Sequence, residues 1–186
     1  MRFLGNPFVW LMRIRNRKGY GVHSPFAFSL ITEVIYEDAP YYDFGWLDST
    51  LPWTYRFRKQ KGYHLLLRLA NWYQPDLMSF LGMYVMEWDY FCCGCAHARR
   101  IEDYPDSKEK CLIFTDRPDD GIIPHLHKDT MLILDNLHLH RAWFNSLPSV
   151  VTFDLYDMGI AFFDPQYHKH NYIVKDVTKL ADTLRS

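Results

Sequence analysis

Three short apolar segments in the second half of the chain constrain the fold more than any other feature. They lie at residues 77–82, 111–116 and 131–136, and each ends at a turn or a polar residue. A short apolar run suits a strand that is buried on both faces, and a polar residue at its end is typical of a parallel strand whose carboxyl end faces a crevice. The sequence therefore predicts a mainly parallel sheet.

The last part of the sheet has a different pattern. Residues 151–156 and 160–163 are two β-prone runs joined by a turn that contains Gly159, which is typical of a β-hairpin. A final run at residues 171–174 predicts an edge strand. Parallel strands should therefore come first along the chain, with an antiparallel hairpin after them.

The first 75 residues have helical periodicity. Ser24 and Pro25 predict a helix start, because serine can cap free amide hydrogens and proline suits the first helical position. The segment at residues 38–54 is rich in Pro, Tyr, Asp and Gly and predicts a loop. The predicted helices cover residues 3–17, 25–36, 57–73 and, after the first strand, 86–100. We predict one compact unit, with a helical cap at residues 1–75 and an α/β core at residues 76–186.

Composition and charge narrow the range of functions. The chain has 186 residues and a formal net charge of −1, so nothing attracts it globally to nucleic acid or anionic membranes. Its apolar runs are shorter than the roughly 18 residues of a membrane span, and no signal segment is visible. We expect a cytoplasmic protein without a membrane or nucleic-acid partner. The five basic residues and no acid in residues 1–32 favour a solvated helix face, with a weak anion-binding arm as the alternative.

The cysteines allow a zinc hypothesis. Cys92 and Cys95 have the spacing of metal ligands, and His97 and Cys111 could complete a set of four. The pattern contains one short thiol pair and lacks a second. Cysteine, glycine and alanine are also ordinary residues of a buried helix face. We favour the buried face and keep zinc as the alternative.

Three motifs resemble a group of bacterial class I S-adenosylmethionine (SAM)-dependent methyltransferase-like proteins. They are Gly-Val-His-Ser-Pro-Phe at residues 21–26, Gln-Pro at residues 74–75, and Phe-Asp-Leu-Tyr-Asp-Met-Gly-Ile-Ala-Phe-Phe at residues 153–163. The resemblance implies a Rossmann-like class I methyltransferase sheet with an N-terminal helical cap, and SAM as the cofactor if the protein is active. Residues 83–130 match poorly, which implies a sheet shortened in the middle.

Polar residues after two predicted strands suggest a divalent-cation site. The oxygens of Asp116, Asp135 and Asn136 are hard ligands that suit Mg²⁺ or Ca²⁺. Cation-dependent O-methyltransferases of the catechol type are similar, with an acid after the fourth strand and an Asp-Asn pair after the fifth. Asp135 would then be catalytic, and His138 could act as a general base. The alternative, which we favour, is that Asp135 and Asn136 only cap the following helix.

The cofactor pattern of the resembled family is incomplete in this chain. That pattern has an acid, one residue and a glycine after the first strand, followed by further glycines. Here Phe80 occupies the acid position, Gly82 is retained, and Met86 stands at the next glycine position. Bulky side chains should block the close backbone approach that such a turn gives a ligand. We expect no cofactor to bind in the usual way, with Gly82 the remaining element of a SAM site.

Length also predicts a loss between the first strand and residue 111. Residues 83–111 are too few for all the strands and crossovers that the resembled sheet places there. In that sheet the second strand carries an acid that holds the cofactor ribose, and we predict that this strand is missing. Glu87, Glu102 or Asp103 could substitute for the acid.

These features lead to one functional hypothesis and two alternatives. The hypothesis is a degenerate, non-catalytic methyltransferase-like protein that acts through contacts with an unidentified protein, using exposed aromatic residues of the segment 38–55. The first alternative is an active O-methyltransferase with an altered cofactor loop. The second is a metal- or RNA-binding module that uses the cysteine–histidine cluster or the N-terminal arginines. Fold similarity alone does not choose among them.

Overall fold

A computed structural model describes residues 22–82, 85–106 and 108–174. The predicted helix at residues 3–17 lies outside the described residues. Within these ranges no helix has the length and apolar character needed to cross a bilayer.

Helices form the first part of the described chain. Helix α1 covers Pro25–Ser29 and continues as a π-helical segment, Leu30–Ile35; α2 covers Tyr42–Thr50 and α3 covers Trp53–Tyr73. The loop predicted for residues 38–54 is therefore wrong over most of its length, because α2 occupies it. Helix α3 confirms the predicted third helix and begins one turn earlier than expected.

Helix α1 begins where the sequence predicts. The side chain of Ser24 accepts a hydrogen bond from the backbone amide of Ala27 at 3.3 Å, which is a side-chain N-cap. At the other end, the amide of Tyr36 donates to the carbonyl of Ile31 at 2.9 Å. This five-residue spacing defines the π-helical segment. Leu30 and Ile31 of this segment are fully buried.

The second half of the chain forms a seven-stranded mixed sheet in the order β2-β1-β3-β4-β6-β5-β7. In chain order its elements are β1 (Leu77–Leu81), α4 (Val85–Gly94), β2 (Arg99–Ile101), β3 (Cys111–Thr115), a 3-10 segment (Asp120–His125), β4 (Thr130–Asp135), α5 (Leu137–Ser146), β5 (Val151–Asp154), β6 (Met158–Phe162) and β7 (His170–Ile173).

The strand directions confirm the predicted α/β architecture. Strands β2, β1, β3 and β4 are parallel. Strand β6 runs antiparallel to both β4 and β5, so the predicted hairpin lies at the end of the parallel strands, and β7 adds an edge strand beside β5. The architecture is compatible with a Rossmann-like fold.

One prediction about the sheet is wrong. The second strand is present, because β2 pairs in parallel with β1 at the sheet edge. It escapes a search for apolar runs because it is three residues long and begins with two arginines. Residues 102–110 then lead directly to β3, and no helix is described in this connection.

Both faces of the sheet are covered. Side chains of β1, β3 and β4 alternate between the faces, as the strand period of two requires. One face packs with α1, α3 and α4 in a continuous core that contains Phe80 and Phe114. The opposite face packs with α5 and the 3-10 segment around Ile113 and Leu132. The helical cap and the sheet therefore share one hydrophobic core.

A glycine fixes how closely α3 and α4 pack. A β-carbon on Gly94 would lie 2.3 Å from the carbonyl oxygen of Leu67 and 2.8 Å from the β-carbon of Ala70. The small residues near Cys92 thus belong to a tightly packed helix face, as favoured from the sequence.

Candidate functional site

A glycine and two carboxylates lie at the adjacent ends of β1, β3 and β4. These strands are in register up to their last residues, so Gly82, Asp116 and Asp135 lie along the same edge of the sheet. Parallel strand ends direct polar backbone groups toward that edge, where ligands of open α/β sheets bind. We call Gly82, Asp116, Asp135 and Asn136 the strand rim.

The start of α5 is capped differently from the hypothesis for Asn136. Asn136 has a left-handed backbone, with φ of 56°, and its side chain makes no capping hydrogen bond. Instead its Nδ2 donates to Asp135 Oδ2 at 3.2 Å. The amide of Leu137 donates to the carbonyl of Asp157 at 2.9 Å. The turn between β5 and β6 therefore satisfies the first amide of the helix.

His138 faces that same turn. Its Nδ1 lies 3.1 Å from Asp157 Oδ1, and its ring stacks against Tyr156 with 5.8 Å between centroids. Tyr156 has a positive φ of 79°, a conformation that a bulky residue rarely adopts. The structure thus brings the predicted base His138 to the β5–β6 turn, where Asp157 orients its ring.

The cation hypothesis gains no additional ligands at the rim. Asp116 is half-buried and lies 3.5 Å from Arg117 Nε, and Asp135 contacts Asn136. Across the described ranges, no three His, Cys, Asp or Glu side chains come together in a group that could hold a metal ion. The Asp116, Asp135 and Asn136 set remains a prediction.

The zinc alternative concerns the cysteines near the end of α4. Cys95 lies 3.5 Å from His97 Nδ1, but Cys111 is fully buried in β3, and the four proposed ligands are not brought together. Burial raises the pKa of Cys92 and Cys95, which disfavours the thiolate form of both side chains. The zinc alternative for this cluster stays a prediction.

The end of β1 does not supply the carboxylate that the SAM pattern needs. Phe80 is fully buried, and its ring packs edge-on against Trp88 at 5.3 Å and Phe91 at 5.4 Å. Met86 is partly buried against the same core. Gly82 adopts a φ of 152°, which glycine tolerates best. Apart from Gly82, this strand end is built as hydrophobic core and does not fit the usual cofactor pattern.

The end of β2 does carry acids. Glu102 follows the strand and accepts a hydrogen bond from Arg100 at 2.7 Å. The carbonyl of Asp103 accepts from the buried Ser79 hydroxyl of β1 at 2.7 Å, which fastens this connection to the sheet. Of the three suggested substitutes for a ribose-binding acid, Glu102 and Asp103 lie after the second strand, whereas Glu87 lies in α4.

A second polar cluster, which the sequence did not predict, joins three helices. Asp48 of α2 accepts hydrogen bonds from Gln60 Nε2 at 2.6 Å and from the Tyr90 hydroxyl at 2.7 Å. Nε2 of His64 lies 2.9 Å from Asp48 Oδ1, and Arg56 donates to the Asp48 carbonyl. We call this set the Asp48 hub.

Protonation states in the hub follow from its geometry. Burial alone would raise the pKa of Asp48, but the hydrogen bonds from Tyr90, His64 and Gln60 outweigh burial and lower it. Burial lowers the pKa of His64, against the opposing effect of Asp48. Burial and the bond to Asp48 raise the pKa of Tyr90. At neutral pH a charged carboxylate therefore accepts from neutral donors.

The sequence does contain a signal for this cluster. Arg56, Gln60, His64 and Arg68 follow one another at intervals of four, which places them on one face of α3. Three of these residues contact Asp48, which lies in the segment predicted as a loop. Their contacts with Asp48 could not be predicted without knowledge of α2.

Aromatic side chains are exposed next to the hub. On α2, Tyr42 is fully exposed and Trp46 is 61% exposed, one turn apart, while Trp53 at the start of α3 is 72% exposed. The opposite side of α2 is buried through Phe44, whose ring stacks on His64 at 3.7 Å. We call Tyr42, Trp46 and Trp53 the aromatic face.

No protein-family model matches the chain, and neither a curated protein nor a solved structure matches it. What the protein can do is therefore inferred from its own residues.

Proposed function

We propose that this protein is a methyltransferase-like protein that does not use SAM catalytically and acts by binding another protein. The observation that carries the proposal is the aromatic face, which presents Tyr42, Trp46 and Trp53 to solvent. Exposed aromatic residues in one region are unusual on a surface that has no partner, and Trp and Tyr dominate the energetics of protein interfaces.

The Asp48 hub supports this function because it fixes the helix that carries the aromatic residues. Asp48 links α2 to Gln60 of α3 and Tyr90 of α4, and Phe44 packs on His64. A binding surface that is already ordered loses less conformational entropy on association. Tyr42 and Trp46 therefore project from a helix whose position is set before a partner binds.

The end of β1 supports the non-catalytic half of the proposal. Phe80 occupies the position of the cofactor acid and is fully buried, so a carboxylate there would replace core packing. The retained Gly82 suits a strand-end turn without any ligand. SAM should consequently bind with a dissociation constant above ~1 mM, which corresponds to less than about 4 kcal/mol of binding free energy.

Calorimetric titration with SAM tests that half directly. We expect no saturable heat at protein concentrations suited to micromolar binding. Micromolar affinity would contradict the proposal and favour an active O-methyltransferase with an altered cofactor loop. The acids after β2, Glu102 and Asp103, are the observation that supports this second candidate.

Interface variants test the other half. Proteins that are cross-linked to the wild type in its native extract should be lost when Tyr42 and Trp46 are both replaced by serine. Leu139→Ser is the matched control, because Leu139 is 67% exposed on α5, away from the aromatic face. Recovery of the same partners with the double variant, or their loss with the control, would reject the aromatic face as the binding surface.

A further inference from the structure

Arg68 is a buried charge that the proposed function does not use. Its side chain lies in the second half of α3 and is only 8% exposed. Among the residues that the structure describes, no group accepts a hydrogen bond from its Nε. Arginine stays protonated in proteins, and a buried guanidinium N–H group that lacks an acceptor is costly. The folded chain therefore holds a guanidinium whose hydrogen-bonding capacity is not filled.

The neighbouring residues of α3 do have partners. Arg56, Gln60 and His64 precede Arg68 at intervals of four and are engaged with Asp48. Arg68 lies one turn beyond His64, past the reach of this hub. This face of α3 therefore ends in Arg68, whose Nε lacks an acceptor among the described residues.

The connection between α1 and α2 supplies the electrostatic neighbours of Arg68. Burial lowers the pKa of its guanidinium, and nearby Tyr41, Glu37 and Asp38 oppose this change. The carboxylate of Glu37 accepts the amide of Ala39 at 2.6 Å, so it holds its own loop in place. These acids compensate part of the charge of Arg68, but among the described residues its Nε lacks an acceptor.

We propose that Arg68 is the anchor of a binding site for the carboxylate group of a small molecule. The guanidinium fork matches a carboxylate in a bidentate arrangement, and such charge-assisted bonds are strong where water is excluded. Glu37 and Asp38 repel a phosphate dianion more than a carboxylate, since its charge is larger. The site should consequently prefer monocarboxylates. It is independent of the aromatic face and of any SAM chemistry.

Thermal unfolding of the full chain tests the site with acetate as the probe. Sodium acetate should raise the melting temperature above that in sodium chloride of equal ionic strength, because a ligand that binds only the folded state stabilises it. We expect a rise in the melting temperature of about 2–4 °C, which is typical of a modest stabilisation in a chain of this size. Sodium phosphate at matched ionic strength should give a smaller rise.

Two variants separate specific binding from general salt effects. Arg68→Met should unfold at or above the wild-type temperature without acetate, because an unsatisfied buried charge has been replaced by an apolar chain of similar length, and it should not respond to acetate. Arg56→Met, on the same face of α3, should keep the response.

Several results would overturn the proposal. They are an equal rise with acetate and chloride in the wild type, a response retained in Arg68→Met, or a larger rise with phosphate. Failure of Arg68→Met to fold would also count against it, because the guanidinium would then be satisfied within the protein. A direct measurement, the NMR resonance of the Arg68 Nε–H group, should shift on acetate addition; an unchanged resonance contradicts binding.

Discussion

The strand rim and the Asp48 hub are both built around carboxylates, but they are held by different kinds of contact. At the rim, Asp135 accepts from the next residue, Asn136, and Asp116 lies beside Arg117. In the hub, Asp48 accepts from residues 12 and 42 positions further along the chain, Gln60 and Tyr90. Local contacts can form in many folds, whereas the contacts of Asp48 require three helices in one arrangement.

This difference bears on where function should be sought. Strand ends place polar groups at the rim as a consequence of the fold, and a ligand site needs more than that placement. The hub is a fully formed network, and exposed aromatic residues lie beside it. Polar networks that are satisfied define one arrangement of their elements. Through Asp48 the network joins two helices of the cap to α4 of the core.

The largest expected effect is at the buried end of β1, which lies next to the strand rim. Phe80→Asp, which would restore the acid of the SAM pattern, should lower the free energy of unfolding by more than about 4 kcal/mol, because it deletes a buried ring and buries a charge. Urea denaturation measures the loss. Phe80→Leu, a smaller apolar change, is the control. A Phe80→Asp protein of wild-type stability would mean that the rim tolerates a polar strand end and would erase the contrast.

A smaller effect separates the two carboxylates. Asp48→Ala should lower the free energy of unfolding by about 3 kcal/mol, because it leaves three buried or partly buried donors, on His64, Gln60 and Tyr90, without their acceptor. Asp135→Ala should cost about 1 kcal/mol or less, because Asp135 is partly exposed at the edge of the sheet. Denaturant midpoints of the two variants, measured side by side, provide the test. Equal losses would show that the hub is no more structural than the rim.

The smallest effect is a pH dependence from His64. Burial holds the pKa of His64 below its ordinary value of 6.5, so the folded protein binds fewer protons there than the unfolded chain. Its contribution to stability is complete above pH 6.5 and declines as the pH falls below that value. His64→Gln, which can still donate to Asp48, should flatten this decline in thermal melts. His127 has a pKa lowered by burial as well, and His127→Gln is the comparison. A decline unchanged in His64→Gln would place the proton-sensitive group elsewhere.

The sheet could be predicted because burial leaves a clear pattern. Strands β1, β3 and β4 are covered on both faces, and such strands appear as continuous apolar runs. The predicted edge of polar residues follows from those runs, since their carboxyl ends must lie together. Strand β2 could not be found in this way, because an edge strand of three residues that includes Arg99 and Arg100 has no apolar run.

The helical cap was harder to predict because its local signals conflict with its packing. Pro40 and Gly45 favour a loop over residues 38–54, but Phe44 and Asp48 gain contacts from α3 and α4 that stabilise α2. The same limit applies to His138, whose direction depends on a turn nineteen residues later, at Asp157. Residue type and spacing do not encode such contacts.

The two edges of the sheet have a consequence for aggregation. One edge strand, β2, has three residues and exposes Arg99, which pairs with Glu109 at 2.9 Å. The other, β7, has four residues, of which His170, Asn171 and Ile173 are exposed. Aggregation through edges requires long, flat, apolar strands whose backbone groups can template a neighbour, and short charged strands oppose it. The shortness of the two described edge strands therefore opposes edge-to-edge aggregation of the sheet.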